Sequence, residues 1–456
     1  MKAKKLFDAI TDVPNDLIEE AGRTKLRREW NAWKRPVMIA ACLALFIVAV
    51  SIFPRFGRKT EGALLDVKFP QAYAFDDIET KRAIIDSNPV EEGFFEVLNE
   101  FSYKTSAQIL SDSSGNTNYS PLSLYYALAM AATGAKGKTA EELLSLLGVQ
   151  DQAMLSVQCG NLYRWLYTDN KIGKLKIGNS LWMDQSIKWE NDFIKNAAEN
   201  FYAQSFSVDF SDTKTAQSMG KWIADQTHGV LKPEVKVDPE QVLSILNTVY
   251  FYDEWIDRFD KSKTAEDIFY LPDSAGVSCD FMNRKYASAG FTKGEGFTRS
   301  GLSLKNAGRM IFILPDEGVS PRELLSSQEK MREAFEEGED GHGEVVWQIP
   351  KFSFGSKFNL AETLQSFGVK AAFEPDADFS GITRQMAFIT NISQETHIGV
   401  DENGVEAAAF TRIDYVGAAL PKDRADMILN RPFIYGITAS DGTLLFVGIC
   451  ENPTAE

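Results

Sequence analysis

Three histidines, His228, His342 and His397, and four cysteines, Cys42, Cys159, Cys279 and Cys450, are the obvious candidates for nucleophilic or metal chemistry in this 456-residue chain. Their number and spacing offer little. The cysteines are far apart and form no CxxC pair, so neither a zinc ribbon nor a disulfide framework is indicated. So few histidines argue against a His-rich zinc centre, and no GxSxG elbow or similar motif sets a nucleophile beside a histidine. ATGAKGKT, Ala132 to Thr139, fits a loose phosphate-loop pattern with alanine for the first glycine. A working phosphate loop follows a buried strand and opens a helix. Here an amphipathic helix precedes it, and the turn joins two helices. DENGVE, Asp401 to Glu406, shares a fragment with calcium loops but lacks the remaining ligands and the distal glutamate. Pairs such as Glu141-Glu142 and Glu336-Glu337 read as solvated faces. No cofactor or metal is indicated. A net charge of −16 argues against a nucleic-acid partner, because phosphate binding needs clustered Lys and Arg.

Chemistry of another kind is written in DENGVEAAAFTRIDYVGAAL, Asp401 to Leu420. With period two, Val405, Ala407, Ala409, Thr411, Ile413 and Tyr415 share one face, small or apolar throughout. Glu406, Ala408, Phe410, Arg412, Asp414 and Val416 form the other, mostly polar or interrupted. The segment is a competent half-buried strand that also carries an alanine run typical of helix or mobile chain. Such ambiguity suits a segment with two alternative states.

The elements around it indicate an α+β chain with 44% apolar residues, enough for a large core. FFEVLNEFSYKTSAQIL has helical spacing. SPLSLYYALAMAATG begins with Ser120 as cap and Pro121 at the first helical position and ends at Gly134. KTAEELLSLLG follows the same logic, with Thr139 as cap and Gly148 as stop. LSILNTVYFYDEW, GRMIFILP, VVWQIPKFSF and RPFIYGITASDGTLLFVGICENP lean to strands, the last as a hairpin turning at ASDGT. Helices come first and strands dominate the second half, which points to α+β and not to a βαβ repeat.

The N-terminal region sets the expected topology. Val37 to Phe53 holds seventeen residues without a charge, roughly 26 Å as a helix against a bilayer core of about 30 Å. Trp30 and Trp33 precede it. Residues 1–36 carry nine Lys/Arg, against three from Arg55 to Lys59. This asymmetry predicts a cytoplasmic tail at 1–36, a transmembrane helix at 37–53, an extracytoplasmic tether at 54–92 and an extracellular globular domain at 93–456. A buried core helix, or a signal peptide cleaved near Ala49-Val50-Ser51, is the competing reading. The latter requires a charged region of about 36 residues, too long for that class.

Motifs in order along roughly residues 93–456 resemble the serpin family, here a bacterial member with an N-terminal anchor. NYSPLSLYYALAMAATGAKGKTAEELLSLLG resembles the segment entering its second helix, with Ser120 and Ser123 at the shutter positions. LNTVYFYDEWIDRFDKSKTAEDIFYL resembles the strand carrying a family Asn and Trp, here Asn247 and Trp255, the latter at the top of the central sheet. NSLWMD, FYAQSFSVDF, MGKWIADQTHG and LNRPFIYGITASDGTLLFVGICENP follow in order. DENGVEAAAFT resembles the inhibitory hinge, which covers Glu402, Gly404, Val405, Glu406, Ala407, Ala408 and Ala409. Counting from Glu402 puts the family's shutter histidine on Gln394, with His397 out of register.

The resemblance implies a serpin fold of about three β-sheets, a helical cluster and an exposed reactive loop. It also implies a suicide inhibitor with no catalytic residue of its own. A target serine protease attacks the loop and forms a covalent acyl-enzyme, and the cut loop enters the central sheet as a new strand. Fifteen residues give a strand of roughly 50 Å. A protease dragged that far loses the alignment of nucleophile and oxyanion hole. Gly404 permits the bend at the hinge, Val405 enters first, and Phe410 departs from the family's small residues. At family spacing the cut falls between Ala418 and Ala419, which suits elastase-like or subtilisin-like pockets. Cleavage after Val416, Ala419 or Leu420 stays open, and cleavage after Lys422 or Arg424 would indicate a trypsin-like target. The expected protein is a membrane-tethered, monomeric inhibitor of extracellular serine proteases and not an enzyme. The alternatives are a non-inhibitory serpin-like surface binding module and, more distantly, a nucleotide-loop ATPase.

Overall fold

In the computed structural model, residues 64–65, 67–306, 308–390, 392–405 and 423–455 are described. The tail and anchor at 1–53 lie outside the described residues, as do Glu406 to Lys422. Among the described residues no helix is long and apolar enough to cross a membrane.

The first part of the chain is helical, with α1 (Ile78–Ser87), α2 (Glu92–Asp112), the short β1 (Thr117–Tyr119), α3 (Pro121–Gly134), α4 (Gly137–Leu146) and α5 (Gln152–Leu166). The Ser120 hydroxyl caps α3 by accepting from the Ser123 N–H at 3.3 Å, with Pro121 at the first position. The helix is not amphipathic, as the sequence predicts, but buried on nearly every side from Pro121 to Ala132. A helix apolar all round belongs at the centre of a fold, and α3 is the axle of this one. The phosphate-loop-like turn after it joins α3 to α4. Thr139 does not cap α4, which begins at Gly137 after Lys136. Its hydroxyl instead accepts from the Asp378 N–H at 2.9 Å, a partner 239 residues away.

Strands then alternate with two helices: β2 (Thr168–Asp169), β3 (Lys174–Asp184), α6 (Asn191–Asn200), β4 (Ala203–Val208), α7 (Thr213–Gln226) and β5 (Leu243–Glu254). β6 (Ala265–Tyr270), β7 (Gly276–Gly294), β8 (Phe297–Ser303) and β9 (Arg309–Pro315) follow, then α8 (Gln328–Glu336), β10 (Glu339–Pro350) and β11 (Phe352–Asn359). The chain closes with β12 (Ser393–Val400), β13 (Gly404–Val405), β14 (Asp423–Ile428), β15 (Phe433–Thr438) and β16 (Leu444–Cys450).

Among the described residues these strands form three hydrogen-bonded sheets. A nine-stranded sheet runs β1-β16-β15-β9-β8-β7-β10-β14, with β6 on β7. A second runs β13-β5-β3-β2, with β4 on β3, and β11 and β12 form a two-stranded ladder. The β15–β16 hairpin is buried almost throughout and turns at Ala439–Thr443, where Gly442 takes a φ of 90°. VVWQIPKFSF, which reads as strand, divides at Lys351 between β10 and β11, which lie in different sheets.

The residues before α2, read as tether, are seated on the domain in their described part. The Leu64 N–H donates to the Ser205 carbonyl at 2.7 Å, Phe69 stacks on Tyr202, and Asn161 Nδ2 donates to the Pro89 carbonyl at 2.7 Å. The compact unit they belong to spans Glu61–Glu456.

Candidate functional site

Two strand pairs face each other across a slot. On one side is β5, paired antiparallel with β3 from Leu243 to Tyr252. On the other is β12, whose ladder partner among the described residues is β11, from Ser393 to Val400. At the head of the slot, among the described residues, β13 joins them, following β12 in the chain and pairing with β5. After β12 the chain reverses between Asp401 and Gly404, and Gly404 and Val405 then pair antiparallel with Glu254 and Asp253 at the end of β5. Below Val405 lies a cavity of about 40 Å³, lined by Val249 and Phe251 of β5, Thr396 and Ile398 of β12, Leu231 and Val405 itself. Val405 is 4% exposed. An apolar side chain therefore closes the head of the slot between β5 and β12.

The turn that delivers it is gripped from three sides. Trp255, 1% exposed, donates its indole N–H to the Asp401 carbonyl at 2.9 Å and its backbone N–H to the Asn403 carbonyl at 3.2 Å. The Phe259 N–H donates to the Glu402 carbonyl at 2.9 Å. The Glu402 carboxylate accepts from the Thr264 hydroxyl at 2.9 Å and pairs with Lys351 at 3.4 Å. Burial works against its ionisation, but its own backbone N–H, Thr264 and Lys351 outweigh burial and hold the carboxyl below its ordinary range. Gly404 is needed for closeness more than for the bend. A Cβ there would lie 2.4 Å from the Asp253 carbonyl oxygen and 2.7 Å from the Glu254 Cα, so a side chain would lift β13 off β5.

Lower in the slot, the start of α3 ties the two sides together. The Ser120 N–H donates to Gln394 Oε1 at 2.9 Å, and Gln394 Nε2 donates to the Ser120 carbonyl at 2.8 Å. That holds β12. The Ser123 hydroxyl donates to Asn247 Oδ1, Asn247 Nδ2 donates to Asn179 Oδ1 at 2.5 Å, and Asn179 Nδ2 donates to the Phe201 carbonyl at 2.6 Å. That holds β5 to β3. The Ser120 hydroxyl donates to the Leu445 carbonyl at 2.8 Å and anchors the cluster on β16. The structure thus brings Ser120, Ser123, Asn247 and Gln394 into one network, and Trp255, Glu402, Gly404 and Val405 into another above it. Each hydrogen bond contributes about 1 kcal/mol net, so a few of them can hold a slot that remains able to open.

Residues 96–453 match the family model described as Serpin (serine protease inhibitor). The chain belongs to the serpin family. It is 29% identical over 352 residues to serine protease inhibitor A3M of Mus musculus, covering 74% of this chain and 83% of that protein. It is likewise 29% identical over 386 residues to a serpin-like protein of Thermococcus kodakarensis, covering 80% and 86%. Among solved structures, the thermophilic serpin tengpin in its native state aligns with a TM-score of 0.71 at 28% identity, over 80% of this chain and 95% of that one.

In this serpin, Glu406, Ala407, Ala408, Ala409 and Phe410 of the hinge and the Ala418–Ala419 bond lie outside the described residues. The histidines have partners that the sequence did not reveal. His342 Nε2 is 2.7 Å from the Ser288 hydroxyl and His397 Nε2 is 3.1 Å from the Ser353 hydroxyl, both across strand pairs on exposed faces. The signal was available only through strand register. Two further acids, Asp253 and Glu254, are buried where β13 pairs, although by sequence they are merely the polar end of a strand.

Proposed function

We propose that this serpin is a single-use trap for serine proteases, tethered to a membrane by residues 37–53 with its domain outside the cell. The observation that carries the trapping reading is β13: Gly404 and Val405 of the hinge are already paired on β5, with Val405 buried at the head of the slot between β5 and β12. In the reaction, the protease serine oxygen forms an ester with the carbonyl of the residue before the cut. The peptide bond breaks and the following residue leaves as a free amine. The freed loop then extends β13 down the slot between β5 and β12, carrying the esterified protease with it. The small residues Ala418 and Ala419 favour elastase-like or subtilisin-like targets. The apolar, positively flanked segment at 37–53 supports the tether.

Incubating the full-length chain with an elastase-like protease should give an adduct that survives denaturing electrophoresis, with a cut mapping near Ala418. Complete cleavage without adduct, against a panel of serine proteases, would overturn the inhibitory reading in favour of a non-inhibitory surface binding module.

A further inference from the structure

Two acids are buried side by side where the hinge meets β5, and they are compensated differently. Glu254 is fully buried and ion-paired with Lys305 at 2.7 Å and Arg258 at 3.1 Å. Asp253 is 2% exposed. Its Oδ2 accepts from the Asn306 backbone N–H at 3.0 Å, and its Oδ1 from Asn306 Nδ2 at 2.8 Å and the Glu254 N–H at 2.9 Å. All three donors are neutral. Asn306 Oδ1 in turn accepts from Asn170 Nδ2 at 2.8 Å. The Asp253 carboxyl therefore ties the end of β5 to the turn after β8 and to the turn between β2 and β3. Charged groups around it are Glu254 on its own strand, Lys305 in the turn after β8, and Lys174 of β3 and Lys81 of α1, which line a cavity of about 30 Å³ with it. Val405 is its register partner on β13.

A carboxylate held away from water by neutral donors is costly in its charged form, whereas one between two cations is not. We infer that Asp253 is a proton-operated latch on the hinge: neutral, it holds the head of the slot shut, and ionised, it favours the parting of β5 from β12 that admits the loop. This rests on the loop-insertion reading above and names its regulation. Burial raises the Asp253 carboxyl to about 6, against the opposing hydrogen bonds from Asn306 and Glu254. A parted state in which water reaches the group returns it toward its ordinary value of 3.8. The closed state thus binds the proton more tightly. Parting is slowest below about pH 4, quickens as pH rises toward 6, and is fastest above it. The difference between 3.8 and about 6 sets a ceiling of about a hundredfold on the change in rate.

The test warms the full-length chain at one temperature in buffers from about pH 4.5 to pH 8. Samples are returned to neutral pH at intervals, and the fraction that has gained a heat-resistant unfolding transition is scored. The conversion rate should rise about tenfold or more, with its midpoint near pH 6, and Asp253→Asn should be flat at the slow rate. Asn306→Ala, which removes a donor to the ionised form, should move the midpoint to higher pH; a purely structural role would change rates and leave the midpoint in place. If Asp253→Asn does not fold, that midpoint decides. A flat wild-type profile, or one that Asp253→Asn preserves, refutes the latch. If the protein gains no heat-resistant transition even after its loop is cut, the insertion reading itself fails. A gain after cutting with a pH-independent conversion rate sinks the latch alone.

Discussion

Glutamate in place of Val405 would set a second carboxylate across from Asp253 on β5, whereas arginine there would meet Asp253 with the opposite charge. The site is 4% exposed and shares its cavity with Val249, Ile398 and Phe251, so either charge enters a largely apolar space. A buried charge without a partner costs several kcal/mol. The charged side chain is expelled from β13 in the resting molecule, and if about 4 kcal/mol of its burial then appears on the barrier to insertion, entry of the loop slows roughly a thousandfold. With arginine, Asp253 is ionised above about pH 6 and restores part of the loss. A recovery of about 2 kcal/mol leaves a slowing of roughly thirtyfold. Insertion competes with hydrolysis of the acyl-enzyme, so slower entry appears as more inhibitor consumed per protease inactivated. The assay titrates an elastase-like protease at pH 8 and compares adduct with cut chain on a denaturing gel. The expected order of trapping is wild type, then Val405→Arg, then Val405→Glu, the last behaving as a plain substrate. Full trapping by Val405→Glu would show that the hinge does not enter at this position. Trapping by Val405→Glu that exceeds Val405→Arg would show that Asp253 does not face the inserted side chain.

Two further substitutions probe the ties around the slot. Gln394 uses one acceptor and one donor on Ser120 and has no proton to gain in the physiological range. Gln394→His should match that pattern only when neutral, because an imidazolium donates from both nitrogens and leaves the Ser120 N–H without an acceptor. The histidine is then depressed below about 6.5, and its stabilisation, present above that value, should be lost as pH falls through the folded value, by up to about 1.4 kcal/mol between pH 7.5 and 5.5. Denaturant unfolding at pH 7.5 and 5.5 measures it, and equal stabilities in the variant would refute the role given to Gln394. Gly343→Ala should loosen the far end of the loop, since a Cβ there would lie 1.9 Å from the Asp423 carbonyl oxygen and push β14 off β10. Faster gain of the heat-resistant transition is expected, and an unchanged rate would show that β14 does not restrain the loop.

Local patterns carried much of the fold. The Ser120 cap, Pro121 and the Gly134 stop mark α3 because capping depends on neighbours a few residues apart. The β15–β16 hairpin is legible for the same reason. Thr139 was misread because its hydroxyl answers to Asp378, across the fold. The change of sheet at Lys351 is invisible to periodicity, since the strands on either side alternate in the same way. Gly404 was legible as a glycine the hinge requires, but its cause is the backbone of β5 pressing on it and not the bend alone. Asp253 and Glu254 were missed because Lys305 and Asn306, which make their burial tolerable, lie 51 and 53 residues further on.

The place of β15 and β16 has a consequence for what a cut leaves behind. Any break between Val405 and Asp423 severs β14, β15 and β16 from the rest of the chain, yet β15 is laddered to β9 and β16 to β1. Almost every residue of the two strands is buried. The severed piece is thus a structural subunit held without a covalent link, and the spent molecule is a heterodimer of its own fragments. A cut copy that has released its protease therefore keeps the size of an uncut one under native conditions, and only denaturation will release the short chain.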